Sequence, residues 1–316
     1  MLNIYTTNPQ GQLVPCADLG HNTIVSLINP TTAEINRVAN QLNVPQAFFD
    51  SALDQNERPR IEKNQQALLI MLNLPARVKH ANLAKEAPYH TTAVGIIHVE
   101  NHVVIVAREE VPLLSELLAG QHGAFQSHMK TRLSLLLFKA IAESYHDHLG
   151  QINTQVSRLQ KKLKTSYQNS ELFGLINLNK SLVYFSTSLS AMAILYQRLM
   201  DGHDIKIHAD EEKRLEAIAT DIAQTAALTE MRRESLSNLM DAYAAIIHNN
   251  LNSVLKVLTT LAIIMVIPTM IGSTFSMNVA LPHEEEWIST VVIGIGMVVI
   301  SAGLLVFFYK KKYLRM

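Results

Sequence analysis

Asn252-Ser-Val-Leu-Lys-Val-Leu-Thr-Thr-Leu-Ala-Ile-Ile-Met-Val-Ile-Pro-Thr-Met-Ile-Gly-Ser-Thr-Phe-Ser-Met-Asn278 is the stretch on which the reading of this chain turns. From Val257 to Phe275 it runs for 19 residues without a charge, and Ile288 to Phe308 adds a second uncharged run of 21. As helices these runs span roughly 28–32 Å, the hydrocarbon thickness of a bilayer. A buried core helix is the alternative, but nothing comparably apolar elsewhere in the chain could cover two such helices. The prediction is a C-terminal membrane hairpin.

The flanks orient it. Lys256 precedes the first span, and Lys310, Lys311, Lys312 and Arg315 follow the second. The loop between, Ser276 to Trp287, carries Glu284, Glu285 and Glu286 and no Lys or Arg. The positive-inside rule then puts both termini in the cytoplasm, making the chain a multi-pass protein of the cell membrane. Three adjacent carboxylates either concentrate cations at a pore mouth or form an ordinary solvated turn.

Upstream, no glycine or proline occurs between Gly202 and Pro268. Leu215, Ile222, Leu236 and Tyr243 share one heptad position; Ala219, Ala226, Met240, Ile247 and Val254 share another. One helix from about Asp210 to Ile267 is predicted, far longer than a compact domain needs. Copies of the same helix are the simplest expected partners for its apolar stripe, which implies a symmetric oligomer. Within the membrane segment, Asn252, Leu255, Thr259, Ala262, Val266, Thr269 and Ser273 recur every three or four residues and share a face. That face is more polar than the one bearing Leu261, Ile263, Ile264 and Ile267, so it marks either a helix contact or a water-filled path.

The rest of the chain divides into an α/β layered domain over residues 1–125 and a helical hairpin over 126–202. Then come the stalk and first span (203–275), the outer loop (276–287), the second span (288–309) and a basic tail (310–316). The class is α+β. Strands are expected at Thr23–Ile28, Ala67–Leu72, Thr92–Val99 and Val103–Ala107, with Asn101-His102 as a hairpin turn. Thr31 or Thr32 with Glu34 reads as a helix start. Leu133, Leu136, Leu137, Ile141 and Tyr145 form the apolar face of the first hairpin helix; Leu175, Leu178, Leu182 and Phe185 form that of the second.

Equal numbers of basic and acidic residues, 27 each, give no reason to expect nucleic acid. The single cysteine, Cys16, excludes an intrachain disulfide framework. No phosphate loop, HExxH or nucleophile elbow occurs, so no enzyme and no organic cofactor is expected. His146 with His148, and His98 with His102, read as packing or surface histidines rather than metal ligands.

Three stretches together resemble the CorA family of magnesium transporters. Asn252 to Thr260, with Pro268 and the Ser276-Met277-Asn278 end, is similar to the family's first membrane helix and its Gly-Met-Asn signature. Leu53-Asp-Gln-Asn-Glu-Arg-Pro-Arg-Ile-Glu62 and Asn179-Lys-Ser-Leu-Val-Tyr-Phe-Ser-Thr-Ser-Leu189 resemble two cytoplasmic stretches in the same order. The resemblance implies a homopentameric funnel moving Mg2+, with Co2+ or Ni2+ as further cargo, through a pore lined by the first membrane helix. It implies an outer mouth at Ser276, Met277 and Asn278, polar pore positions at Asn252 and Thr269, and a hydrophobic constriction near Leu255, Leu258 and Val266. It also implies an inner acidic ring at Asp241 and regulation by Mg2+ held between cytoplasmic domains. Asp210, Glu211, Glu212, Glu216 and Asp221 are the candidate ligands, their alternative being a solvated helix face. Serine replaces the signature glycine at 276, which is costly if that turn needs positive φ. A relative carrying Zn2+, Co2+ or Ni2+, and a membrane-anchored sensor without conduction, are the competing expectations.

Overall fold

The structure, a computed structural model, describes residues 1–78, 86–165, 169–202, 207, 209–277 and 287–314. It divides into two compact units, Met1–Asn238 and Leu239–Met316.

The first unit is built on a seven-stranded mixed sheet. Its strands are β1 (Leu2–Thr7), β2 (Leu13–Cys16), β3 (Ile24–Ile28), β4 (Arg60–Lys63), β5 (Ala67–Arg77), β6 (Tyr89–Val99) and β7 (His102–Ala107), in the order β2-β1-β3-β7-β6-β5-β4. Among the described strands, only β3 and β7 pair in parallel. Residues 67–75 of β5 are buried on both faces, so the strand reads as an apolar run rather than an alternation. Helices α1 (Thr32–Leu42) and α2 (Gln46–Leu53) cover one face through Val38, Phe48 and Phe49, which pack with Leu69, Met71, Ile97 and Val104. Gly95 sits where α2 comes closest; a Cβ there would lie 2.6 Å from that of Ala52.

Thr31 caps α1. Its hydroxyl accepts from the Glu34 amide at 3.3 Å, and the Glu34 carboxylate accepts from the Thr31 amide at 2.8 Å. That backbone bond holds the Glu34 carboxyl below its ordinary range. In the stretch 53–62, Arg60 ties the turn after α2 to β4 by pairing with Glu57 and Glu62 and donating to Ser51.

A short helix, α3 (Pro112–Leu118), leads to a helical hairpin, α4 (Lys130–Thr165) and α5 (Asn169–Met200), on the other face of the sheet. The seam there is partly polar. Tyr145 donates to the Asn73 carbonyl at 3.0 Å, Asn73 Nδ2 donates to Ser188 at 3.0 Å, and Ser181 accepts from the Tyr89 amide at 3.1 Å. His98 reaches Ser134 at 2.8 Å and is buried, which lowers its pKa to about 4. His102 bonds Thr23 at 2.8 Å, and His148 bonds the Ser144 carbonyl at 2.8 Å, so these three histidines pack.

Neutral His98 makes the fold acid-sensitive. Because its folded pKa lies below the ordinary value near 6.5, protonation favours the unfolded chain. Stability is intact above pH 6.5 and falls by up to about 3 kcal/mol as pH drops to 4. Thermal melts across this window are expected to lose much of their pH dependence in His98→Gln; an unchanged slope would remove this origin.

The hairpin turn between β6 and β7 differs from expectation. Val99 pairs with His102, so the connection is Glu100-Asn101, with Glu100 at φ 36. His102 is drawn into β7 by its bond to Thr23.

The long helix α6 runs from Ala209 to Phe275. Its first half belongs to the first unit, where Leu215, Ile222, Thr229 and Leu236 are buried within the chain. Tyr243 is buried as well. The stripe assigned to copies of the same helix is thus buried within the single chain, and at Leu236 its neighbours are Ile152 and Val156 of α4 and Leu182 of α5. Ser186 on α5 donates to Glu230 at 2.7 Å, and Arg232 donates to the Leu149 carbonyl of α4 at 3.2 Å. Ala219, Ala226, Met240 and Ile247 on the second stripe are half-buried, and Val254 is exposed. The second unit comprises α6 from Leu239 onward and α7 (Trp287–Lys310).

Candidate functional site

Among the described residues, two helices are long and apolar enough to cross a membrane, within Asp210–Phe275 and Thr290–Lys310, with mean hydropathies of 2.2 and 2.7 over their most apolar windows. Only 6% and 0% of those windows is buried in the chain. Core helices of a soluble protein would be covered, so composition and exposure together exclude that alternative.

Exposure divides the membrane part of α6 into two faces. Ser253, Val257, Thr260, Ile264, Ile267, Pro268 and Ile271 are wholly or partly covered, with Thr260 only 2% exposed. α7 is the other helix of this unit, and its own protected residues, including Ile293, Met297, Ser301 and Leu304, recur at matching spacing. At 100° per residue the covered face of α6 lies roughly opposite the stripe of Asn252, Leu255, Thr259, Ala262, Val266, Thr269 and Ser273. Every member of that stripe, and Leu258 beside it, is exposed in the single chain. Sequence reasoning singled out the polar face and missed the seam. The four- and three-residue spacing from Ser253 to Ile271 was its available signal.

Hydroxyl groups along the helix are bonded to their own backbone. Thr260 donates to the Lys256 carbonyl at 2.7 Å, Thr269 to Met265 at 2.9 Å and Thr274 to Met270 at 2.9 Å. Pro268 lacks an N–H, which leaves the Ile264 carbonyl without its helical donor while the helix continues to Phe275. On the stripe, therefore, Asn252 brings an amide and Thr259, Thr269 and Ser273 bring oxygens to a surface otherwise lined by Leu, Ala and Val.

Positive φ among the described non-glycine residues is confined to Asn22, Asn29, Asn43, Glu100 and Lys312. Ser276 therefore pays no left-handed penalty. Its amide donates to the Gly272 carbonyl at 3.1 Å and its hydroxyl to Ser273 at 2.7 Å. We expect Ser276→Gly to alter ion flux by less than about tenfold, because the serine hydroxyl is bonded to the Ser273 carbonyl of its own helix and no left-handed backbone is at stake. A larger change in proteoliposome flux would show that the serine itself shapes the mouth. Met277 is exposed beside it. Asn278, Glu284, Glu285 and Glu286 lie outside the described residues.

Asp241 is exposed, as are Asp210, Glu212, Glu216 and Asp221, while Glu211 is half-buried. The acids in the first turn of α6 favour its N-terminal dipole. Among the described residues, no group of three His, Cys, Asp or Glu within one chain could hold a metal.

A mixed-sheet domain, a helical hairpin and a long helix that becomes the first of two spans define a class of membrane transport protein. A profile of the CorA-like Mg2+ transporter protein family matches residues 20–311, and the chain belongs to that family, whose members are divalent-cation transporters and not enzymes. The cobalt/magnesium transport protein CorA of Methanocaldococcus jannaschii is 22% identical over 262 residues, 80% of this chain and 79% of that one. The complete structure of the CorA magnesium transporter from the same organism aligns with a TM-score of 0.83 at 18% identity, over 98% of this chain and 97% of that one. The ZntB cytoplasmic domain of Vibrio parahaemolyticus aligns at 0.63 and 10% identity, over 78% of this chain and 98% of that domain.

Proposed function

We propose that this chain assembles as a homopentamer in the cell membrane, with both termini cytoplasmic, and conducts Mg2+ along the exposed stripe of α6. The observation that carries this reading is the position of that stripe, opposite the face of α6 that is protected within the chain. A helix with one face protected within its own chain and a polar face left open offers the open face to an axis shared with other copies.

The chemistry suits a hydrated cation. Mg2+ dehydrates reluctantly and keeps several waters, so neutral oxygens can hold it by hydrogen bonds without trapping it. Asn278 would supply such a ring at the outer mouth, beside Ser276 and Met277, with Glu284, Glu285 and Glu286 attracting cations to it. Leu255, Leu258 and Val266 would form the constriction that closes by dewetting, and Asp241 the inner acidic ring. Co2+ is a second cargo, supported by the name of the M. jannaschii relative.

Regulation by internal Mg2+ would use Asp210, Glu211, Glu212 and Asp221 with ligands from a neighbouring copy. Limited proteolysis is expected to slow in Mg2+; identical digestion with and without the ion counts against it. The transport reading is tested in proteoliposomes loaded with ion-sensitive dye, across a panel of divalent cations. A gradient of Mg2+ is expected to drive a signal. A flat trace for every cation would favour a sensor that does not conduct.

A further inference from the structure

From Leu149 to Met200 the chain carries six basic residues against one acid, Glu171, although its overall charge is zero. The excess is concentrated near the tip of the α4–α5 hairpin. Arg158, Lys161 and Lys162 are exposed on the last turns of α4. Across from them Phe173 is 63% exposed at the start of α5. The two sites lie side by side, since the neighbouring Gly174 packs so closely on Leu159 that a Cβ would come within 2.9 Å.

The direction of this tip follows from contacts inside the first unit. α5 runs antiparallel to α6, because Ser186 meets Glu230 while Leu182 lines the same groove as Ser235 and Leu236. α4 runs parallel to α6, with Leu149 at Arg232 and Val156 further along. The tip therefore lies at the end of the unit from which the chain leaves at Asn238, and the uncharged run begins at Val257, 19 residues later. The acidic first turn of α6, Asp210 to Glu212, lies at the opposite end. In the proposed cyclic assembly every copy sits at the same height, so a neighbour's acidic turn would be equally remote.

We propose that the hairpin tip docks on the anionic lipid surface of the membrane that the same chain spans, Arg158, Lys161 and Lys162 meeting headgroup phosphates and Phe173 entering the interface. Basic residues flanking an exposed aromatic side chain are the chemistry of reversible interfacial binding. The proposal rests on the membrane insertion and cyclic assembly proposed above, and stands apart from which ion the chain carries.

The test uses the full chain in nanodiscs. Cys16 is the only cysteine, so Phe173→Cys in a Cys16→Ser background takes one environment-sensitive fluorophore. Emission is expected to shift to the blue in phosphatidylglycerol-rich discs relative to phosphatidylcholine discs, and to return at high salt. Replacing Arg158, Lys161 and Lys162 together with Gln should weaken docking about a hundredfold and abolish the shift, with an unchanged far-UV spectrum. Equal emission in both lipids would overturn the proposal. So would a blue shift indifferent to lipid charge and salt, which would place residue 173 against another protein chain.

Discussion

Ala262→Lys is expected to abolish cation flux while leaving membrane insertion and assembly intact. Ala262 is exposed on the polar face of α6, six residues inside the uncharged run. In a pentamer, five ammonium groups would surround the ion. At about 6 Å and a water-like dielectric, each repels a divalent cation by about 1.4 kcal/mol. Five sum to roughly 7 kcal/mol, about five orders of magnitude in rate. If Ala262 faced lipid instead, the lysine would snorkel toward the interface and leave the pathway untouched. Dye-reported flux above a tenth of the unmodified protein's would remove Ala262 from the conducting face.

Asn278→Ala carries the next largest expectation. A ring of five amide oxygens would hold the hydration shell of the entering ion, each bond contributing about 1 kcal/mol net. Losing all five should lower Mg2+ flux by a hundredfold or more, or relax its selectivity over other divalent cations. Competition between Mg2+ and Co2+ in the same vesicles separates the two outcomes. Unchanged rate and unchanged selectivity would take the mouth away from Asn278.

These expectations rest on features of unequal legibility. The two spans were readable because desolvation of charge in hydrocarbon is so costly that their sequences carry none. β5, β6 and β7 were readable as apolar runs because helices cover both sheet faces. β1, β2 and β4 were not. β2 is a four-residue edge strand containing Pro15, and β4 is Arg-Ile-Glu-Lys, so neither shows a periodic apolar signal. The heptad of Leu215, Ile222 and Leu236 correctly marked a buried stripe, but periodicity names no partner. These residues are buried within the single chain, with the α4–α5 hairpin beside Leu236. The Glu100-Asn101 turn was misplaced by one residue because neither candidate pair holds the glycine that usually marks such a turn. The polar face of α6 was legible as a stripe; its exposure opposite a protected face was not, since protection depends on tertiary contacts that periodicity does not name.

The central claim is that the uncovered face of α6 is wetted, and scanning single cysteines from Asn252 to Ser273 in a Cys16→Ser background tests it most directly. A membrane-impermeant thiol reagent should modify positions 252, 255, 259, 262, 266, 269 and 273, with parallel loss of flux, and spare 253, 257, 260, 264, 267 and 271. Labelling that followed the second set, or showed no helical period, would contradict the account.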